Sequence, residues 1–262
     1  MTKQSMVLFA ILAYVLIRSF FIEPNTLELT QYRIENKYLQ GIRVVFLSDF
    51  HLKKHDYKRL DKIVQLTNKQ SPDIVLLGGD YVTGHNPDKS MNPNIIAQKL
   101  NLIQAPKYAV FGEHDNAQDI NKIKNAFTEA NIRILEDTNI RTIAKRRYLD
   151  IVGLADLKSK NPNINKALYR TMLPRIIVTH NPDIYYSIMD DVTLIIAGHT
   201  HGGQFVIPGT PALFTPSKFG SKFAKGLIKE THNQMVISKG LGVTGIPIRF
   251  NCKPEIVVID FN

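Results

Sequence analysis

The chain has 262 residues, of which 44% are hydrophobic and 21% are charged, and its formal net charge is +10 at pH 7. This composition supplies enough apolar side chains for a folded core and excludes an intrinsically disordered chain. The single cysteine, Cys252, excludes an intramolecular disulfide and any cysteine-rich zinc site. The positive charge favours anionic partners, which include phospholipid headgroups, nucleic acid and phosphorylated molecules.

An apolar segment opens the chain. Residues Met6 to Ile17 are apolar without interruption, and the stretch counted to Ile22 has 17 residues. A bilayer is spanned by roughly 17 to 25 residues, so we expect residues 1–22 to form an uncleaved membrane anchor. Two alternatives stay open, a cleaved signal peptide and a helix packed on the domain, although no small-x-small cleavage site precedes Pro24.

After a linker near Pro24, short apolar runs alternate with amphipathic segments, and this alternation indicates an α/β fold. The apolar runs predict strands at 43–47, 73–78, 108–111, 148–153, 175–179, 194–197, 234–238 and 255–259. Helical spacing of apolar residues predicts helices around 60–67, 96–103 and 120–130. The second half has more short strands, so we expect two facing sheets with helices outside. Residues 23–40 are expected to hold a linker and a first strand.

Metal-binding side chains follow several of these strands. They lie in the segments Asp49-Phe50-His51, Gly79-Asp80, Gly112-Glu113-His114-Asp115 and Gly198-His199-Thr200-His201, and in His180. Strands of one parallel sheet deliver their carboxyl ends to one edge, where residues far apart in sequence can converge. The pattern predicts a two-metal hydrolytic centre, in which Asp80 could bridge cations about 3.5–4 Å apart.

The histidines of these segments have a simpler interpretation when each is taken alone. Five of the eight histidines in the chain directly follow apolar runs; they are His51, His114, His180, His199 and His201. A single histidine in such a position is more often a structural residue than a ligand. The recurrence of the same position along the chain favours a common site.

These segments resemble the signature of the calcineurin-like metallophosphoesterase family, which has Asp-x-His, Gly-Asp, Gly-Asn-His-Asp, a lone His and Gly-His-x-His. The resemblance covers residues 41–204, and the segments 238–242 and 247–251 are similar to the membrane-associated bacterial branch. It implies a four-layer αββα sandwich of two facing mixed sheets flanked by helices in residues 41–262. It also implies an anchor in a bacterial inner membrane, whose orientation is left open by conflicting charges at Lys3 and Arg18.

The resemblance implies a role for each candidate side chain. Asp49, His51, Asp80 and His201 would hold the first metal, and Asp80, His180 and His199 the second. His114 would donate a proton to the leaving oxygen or steady the phosphate, and Asp115 would orient His114. A hydroxide that bridges both cations would be the nucleophile, because cations lower the pKa of bound water from 15.7 to about 7.

One position departs from the family pattern, since Glu113 stands where the family has Asn. As an ionised ligand, Glu113 would lower the formal charge of the centre from roughly +2 to roughly +1, which weakens anionic substrate binding and strengthens the second metal site. Alternatively, Glu113 turns away from the metals, or the change abolishes catalysis. Nitrogen and oxygen ligands suit manganese, which we favour, as well as iron or zinc.

The expected activity is hydrolysis of a phosphodiester, pyrophosphate or phosphomonoester bond, and we favour a lipid-linked substrate at an anionic membrane surface. The loop from Pro208 to Lys225 mixes aromatic and lysine side chains. It could rest on lipid, or it could be a solvated loop with its aromatic rings in the core. We expect no specific nucleic-acid partner. The alternatives are a soluble-substrate nuclease or nucleotide phosphodiesterase, and a metal-binding scaffold that lost catalysis through Glu113.

Overall fold

The computed structural model describes residues 2–84 and 86–262. Its strands are β1 (Glu28–Ile34), β2 (Arg43–Leu47), β3 (Ile74–Leu77), β4 (Lys107–Ala109), β5 (Arg133–Ile134), β6 (Thr138–Ala144), β7 (Arg147–Gly153), β8 (Arg175–Val178), β9 (Leu194–Ala197), β10 (Gly226–Ile228), β11 (Met235–Ile237) and β12 (Glu255–Phe261). Its α-helices are α1 (Lys3–Ile17), α2 (Tyr57–Lys69), α3 (Pro93–Asn101), α4 (Glu113–Asn116), α5 (Ile120–Glu129) and α6 (Ile164–Leu168).

The strands form two six-stranded sheets. The first has the order β1-β12-β2-β3-β4-β5, and its strands β2 to β5 run parallel while β12 is antiparallel to β2. The second has the order β10-β11-β9-β8-β7-β6, with β11, β9, β8 and β7 parallel and both outer strands antiparallel to their neighbours. Both sheets are therefore mixed, as the family resemblance implied.

Side chains that alternate along β2 show how the layers are stacked. Val44 and Phe46 belong to an apolar cluster that contains residues of both sheets, so this cluster fills the space between them. Val45 and Leu47 belong to a second cluster, which packs the first sheet against α2, α3 and α5. A third cluster joins the outer face of the second sheet to α6 and two short 3₁₀ segments. The four-layer αββα prediction is confirmed.

The sequence analysis did not predict β5, β6 and β10. All three are edge strands. Most residues of β6 are exposed or half-buried, and none in β10 is fully buried. A strand with little burial needs no continuous apolar run, so the pattern that revealed the central strands is missing here.

The apolar N-terminal segment forms a continuous helical stretch, Lys3–Asn25, which is long and apolar enough to cross a membrane. It consists of α1, a π-helical segment (Arg18–Ile22) and a 3₁₀ turn (Glu23–Asn25). No residue of α1 is buried, so α1 does not pack on the domain. A signal sequence would pass the same test of length and composition.

The far end of this helical stretch is attached to the domain. The Glu23 carboxylate is buried, accepts a hydrogen bond from Arg18 Nε at 2.8 Å, and accepts another from the backbone N–H of Cys252 at 3.1 Å. The backbone N–H of Arg249 donates to the carbonyl oxygen of Ser19 at 3.0 Å. The segment 249–252 therefore fixes the point at which the helix leaves the domain.

Candidate metal centre

The parallel strands bring the predicted site residues to one end of the two sheets. Asp49 and His51 follow β2, Asp80 follows β3, Glu113, His114 and Asp115 follow β4, His180 follows β8, and His199 and His201 follow β9. Neighbouring parallel strands end side by side, which is why loops from both sheets meet at this place.

The first compact group of possible metal ligands is Asp49, His51 and His201, and all three side chains are buried. His51 Nε2 and His201 Nε2 lie 3.0 Å apart. His201 Nε2 also lies 3.6 Å from Asp49 Oδ1. Two imidazole nitrogens at this distance face each other favourably only with a proton or a cation between them, so the donor set fits a metal ion.

The second compact group is Asp49, Asp80 and His180. His180 Nε2 lies 3.4 Å from Asp80 Oδ2, while His51 Nε2 lies 3.6 Å from the same oxygen. One carboxylate oxygen is thus shared by histidines from both groups. His180 Nδ1 lies 2.8 Å from the carbonyl oxygen of Gly78, to which it can donate, and this contact directs Nε2 toward Asp80.

His199, Glu113 and His114 border these groups. The His199 ring centroid lies 5.1 Å from that of His180, and its buried Nε2 has no hydrogen-bond partner among the described residues. Glu113 Oε1 lies 3.8 Å from His199 Nδ1, but Glu113 belongs to none of the compact ligand groups among the described residues, so its expected role as a ligand stays a prediction. His114 forms a further compact group with His51 and Asp80, so the structure allows it to bind a metal as well as to transfer a proton.

The backbone at the candidate ligands is strained. Asp49, His51, Asp80, His199 and His201 have φ angles of 54°, 41°, 53°, 71° and 52°. Residues other than glycine seldom adopt this left-handed region, and each such residue costs on the order of 1–3 kcal/mol. Backbone strain of this kind is typical of functional sites, where the fold holds side chains in directions that an ordinary strand end would not give.

Hydrogen bonds hold these strained loops together. The backbone N–H of His199 donates to Asp49 Oδ1 at 2.9 Å, and the N–H of His51 donates to the Asp80 carbonyl oxygen at 2.9 Å. Glycine is needed beside the carboxylates, since a Cβ on Gly112 would lie 2.1 Å from Asp80 Oδ1 and a Cβ on Gly198 would lie 2.4 Å from Asp49 Oδ2. The site therefore depends on close backbone approach as well as on its ligands.

Asp115 is buried and fixes the loop that carries Asp80. Its carboxylate accepts backbone N–H groups from Asp80 at 2.7 Å, Tyr81 at 2.9 Å and Gly112 at 3.0 Å. Burial and the neighbouring Asp80 charge raise the pKa of Asp115 to about 7. These contacts make Asp115 a positioning residue for Asp80, and its expected role in orienting His114 stays a prediction.

The electrostatics of the site keep the imidazoles of His51, His199 and His201 neutral and pair a charged His180 with the ionised Asp80 carboxylate. Burial lowers the pKa of His51 to about 3 and of His199 to about 4, and it holds that of His201 well below its ordinary value. Burial opposes the charge of Asp80, but the facing His180 outweighs it and lowers the carboxyl pKa. The same pairing overcomes burial and raises the pKa of His180. Neutral imidazole is the form that binds metals.

Arg249 lies in the segment 247–251 that resembles the membrane-associated branch, but its role was not predicted from the sequence; it is fully buried. Its guanidinium donates to the carbonyl oxygens of Gly242 at 2.6 Å, Lys239 at 2.7 Å and Cys252 at 3.0 Å. Its Nη2 also lies 3.4 Å from His201 Nδ1. After burial and the charge of His51, the charge of Arg249 is a further cause of the lowered pKa of His201.

The role of Arg59 was not predicted either. Its Nη2 donates to the carbonyl oxygen of Phe50 at 2.8 Å, and its Nη1 donates to that of Leu241 at 3.1 Å. The contact with Phe50 supports the loop between Asp49 and His51. Nothing in local spacing identifies such residues, because their partners are carbonyl oxygens from distant parts of the chain.

A cavity of about 90 Å³ opens onto the centre. It is lined by Asp80, Glu113, His114, His199, Thr200, His201, Gly203, Gln204, Phe214, Pro216 and Thr244. The lining therefore combines candidate metal ligands with the exposed side chain of Phe214.

Comparisons with known proteins agree with this arrangement. The profile of the calcineurin-like phosphoesterase family matches residues 42–203. Among solved structures, the 5'-nucleotidase precursor from Thermus thermophilus is similar in fold, with a TM-score of 0.51 and 11% identity over 76% of this chain and 49% of that chain. The chain thus spans about half the length of that nucleotidase.

Several relatives match over nearly the whole chain, including the following three. The uncharacterized metallophosphoesterase YkuE of Bacillus subtilis is 30% identical, over 91% of this chain and 86% of its own length. The phosphodiesterase YaeI of Escherichia coli is 29% identical over 92% and 90%. The UDP-2,3-diacylglucosamine pyrophosphatase LpxG of Chlamydia muridarum is 26% identical over 91% and 90%. With the family profile matched across all the strand-end segments, the chain belongs to the calcineurin-like phosphoesterase family.

Proposed function

We propose that this hydrolase uses two divalent cations to cleave a phosphodiester or pyrophosphate bond in a lipid-linked substrate at a membrane surface. The observation that carries the proposal is the position of Asp80, whose Oδ2 lies between His51 of one ligand group and His180 of the other. A carboxylate in this place is suited to bridge two cations. The family to which the chain belongs supports the hydrolytic chemistry.

The ligand groups suggest how the cations would be divided. Asp49, His51, Asp80 and His201 would hold one cation, and Asp80, His180, His199 and Glu113 would hold the other. Cations held there would polarise the phosphoryl oxygens and lower the pKa of a bound water molecule. Nitrogen and oxygen donors suit manganese, iron or zinc, and we favour manganese.

His114 is the candidate to act on the substrate directly. Its side chain is 16% exposed and lines the cavity, whereas the neighbouring histidines His51 and His180 are fully covered. Its Nε2 lies 4.0 Å from Asp80 Oδ2, so it faces the place where a phosphoryl group would meet the cations. From there it would donate a proton to the leaving oxygen or a hydrogen bond to the phosphate.

A membrane-bound substrate is supported by the position of the helical stretch. The Arg18 guanidinium lies 5.5 Å from the Phe250 ring, which stacks on Phe205 at 5.2 Å. Phe205 adjoins Gln204, which lines the cavity and donates to the Thr244 carbonyl oxygen at 3.0 Å. A short series of contacts thus connects the end of the apolar helix with the mouth of the site.

Exposed apolar side chains add to this support. Leu213, Phe214 and Ile246 are 69%, 75% and 65% exposed, and all three belong to loops that line the cavity. In the loop from Pro208 to Lys225, Phe214 is exposed, as a loop that rests on lipid requires. Phe223 is buried, as expected for a loop whose aromatic rings lie in the core. We name Leu213, Phe214 and Ile246 the apolar rim. An exposed apolar rim beside the cavity suits contact with lipid.

Similarity to LpxG supports the same substrate class. LpxG is a pyrophosphatase that acts on UDP-2,3-diacylglucosamine, and YaeI is a phosphodiesterase. A soluble-substrate nuclease or nucleotide phosphodiesterase is the alternative. The scaffold hypothesis would require Glu113 to disrupt the centre, but Glu113 lies beside His199 while the other ligands converge.

The first prediction concerns the bridging carboxylate. Asp80→Ala should lower kcat/KM for bis-p-nitrophenyl phosphate in Mn²⁺ by about 10³-fold or more, because both cations lose a shared ligand. The matched control is Asp88→Ala, which removes an exposed carboxylate from the segment that follows Asp80. Activity of Asp80→Ala equal to that of the control would contradict the proposal, and an inactive parent would favour the scaffold.

The second prediction concerns the substrate. Changing Leu213 and Ile246 together to serine should lower hydrolysis of a lipid-linked pyrophosphate in mixed micelles by about tenfold, because less apolar surface contacts the micelle. Hydrolysis of bis-p-nitrophenyl phosphate should stay within about twofold, since neither residue lines the cavity. Met189→Ser, at an apolar side chain that is 77% exposed elsewhere, serves as the control. Cleavage of nucleic acid without cleavage of lipid-linked substrate would support the soluble alternative.

The third prediction follows from the raised pKa of His180. A metal ion must displace the proton on this imidazole, so Mn²⁺ binding to metal-free protein should release about one proton at pH 7. Mn²⁺ affinity should then rise with pH until the folded-state pKa of His180 is passed. Calorimetry in buffers of different ionisation enthalpy measures the release. No release at pH 7, or the same release in His180→Gln, would show that this histidine is not displaced by metal.

A further inference from the structure

The carboxylate of Glu113 has two different neighbours. Its Oε1 lies 3.8 Å from His199 Nδ1 and 3.9 Å from His114 Nε2, both at the metal centre. Its Oε2 lies 2.5 Å from the ammonium nitrogen of Lys158. The Glu113 side chain is only 22% exposed and lines the cavity, so this ion pair lies at the edge of the site.

The turn that carries Lys158 is held in place by its own hydrogen bonds. Asp156 is buried, and its Oδ2 accepts hydrogen bonds from the Ser159 backbone N–H at 2.8 Å and from Ser159 Oγ at 2.7 Å. The N–H of Lys160 donates to the Asp156 carbonyl oxygen at 2.9 Å. Lys158 therefore projects from a defined turn that follows β7, and its ammonium group reaches a site built largely from other strand ends.

We propose that Lys158 is a positioning residue of this site, an inference that rests on the proposed function. Lys158 holds one oxygen of Glu113, so that the other faces His199 and His114. Its ammonium group also compensates for the negative charge that Glu113 introduces where the family pattern has Asn. The pair is neutral overall, as an asparagine side chain is, so bound cations keep their attraction for an anionic substrate.

Loss of the Lys158 ammonium group would change substrate binding and metal binding in opposite directions. An uncompensated carboxylate repels the phosphate group of a substrate, and it attracts divalent cations. Substrate binding should therefore weaken while metal binding strengthens. A general disordering of the site would weaken both, so the opposite signs distinguish charge compensation from structural damage.

The test is Lys158→Met, which keeps an apolar stem and removes the charge. At low ionic strength KM for bis-p-nitrophenyl phosphate should rise about tenfold with kcat within about twofold, and the rise should shrink in high salt. Calorimetric titration of metal-free protein should show Mn²⁺ bound about threefold to tenfold more tightly. Lys160→Met is the matched control, because Lys160 lies in the same turn but pairs with Glu136.

A double-mutant cycle tests whether the effect passes through Glu113. In the Glu113→Gln background, Lys158→Met should change KM by less than about twofold, because no carboxylate charge remains to be compensated. An equal rise of KM in both backgrounds would overturn the inference. So would equal KM and equal Mn²⁺ affinity in Lys158→Met and Lys160→Met.

The Mn²⁺ titration separates this inference from the proposed function. A parent protein that binds Mn²⁺ but hydrolyses no phosphoester contradicts the function, while tighter Mn²⁺ binding by Lys158→Met would still support the role of Lys158. An active parent whose Mn²⁺ affinity and KM are unchanged by Lys158→Met contradicts the inference alone. A parent that binds no Mn²⁺ contradicts both.

Discussion

The arrangement of the site depends on one buried carboxylate, that of Asp80. It lies at the end of β3, and its Oδ2 is within 3.6 Å of histidines from both ligand groups. Asp115 holds its backbone, and the N–H of His114 donates to its Oδ1 at 2.9 Å. Burying a charged carboxylate is costly unless opposite charges face it. The surrounding imidazoles, and the cations they would bind, therefore lower the free-energy cost of burying Asp80. The strained loops around Asp80 bring the other candidate ligands toward it.

The central strands could be predicted from sequence because they are buried on both faces. Val44 to Leu47 alternate between the inter-sheet cluster and the helix-facing cluster, and both environments demand apolar residues. Several of the resulting apolar runs are followed by candidate ligands, and these runs located the strand ends as well as the strands. Edge strands such as β6 escaped prediction, because one face or both meet solvent and the pattern is lost.

The ligand residues were visible in the sequence for the same reason, whereas the residues that support them were not. Arg249 acts by donating to carbonyl oxygens of Gly242, Lys239 and Cys252, which carry no side-chain signature. Lys158 is significant only because its turn lies beside Glu113, a long-range contact that periodicity does not encode. Arg249 also joins the site to the apolar helix, since its backbone N–H binds Ser19 and its side chain lies beside His201. The buried Arg249 therefore contacts both the candidate metal centre and the end of the apolar helix.

The central claim is that Asp80 is the bridge between two cations, and anomalous diffraction from crystals of the Mn²⁺-loaded protein tests it most directly. We expect two manganese peaks about 3.5–4 Å apart, both in contact with the Asp80 carboxylate. One of the two should also contact His51 and His201, and the other His180. A single peak, or peaks that leave Asp80 uncoordinated, would contradict the central claim.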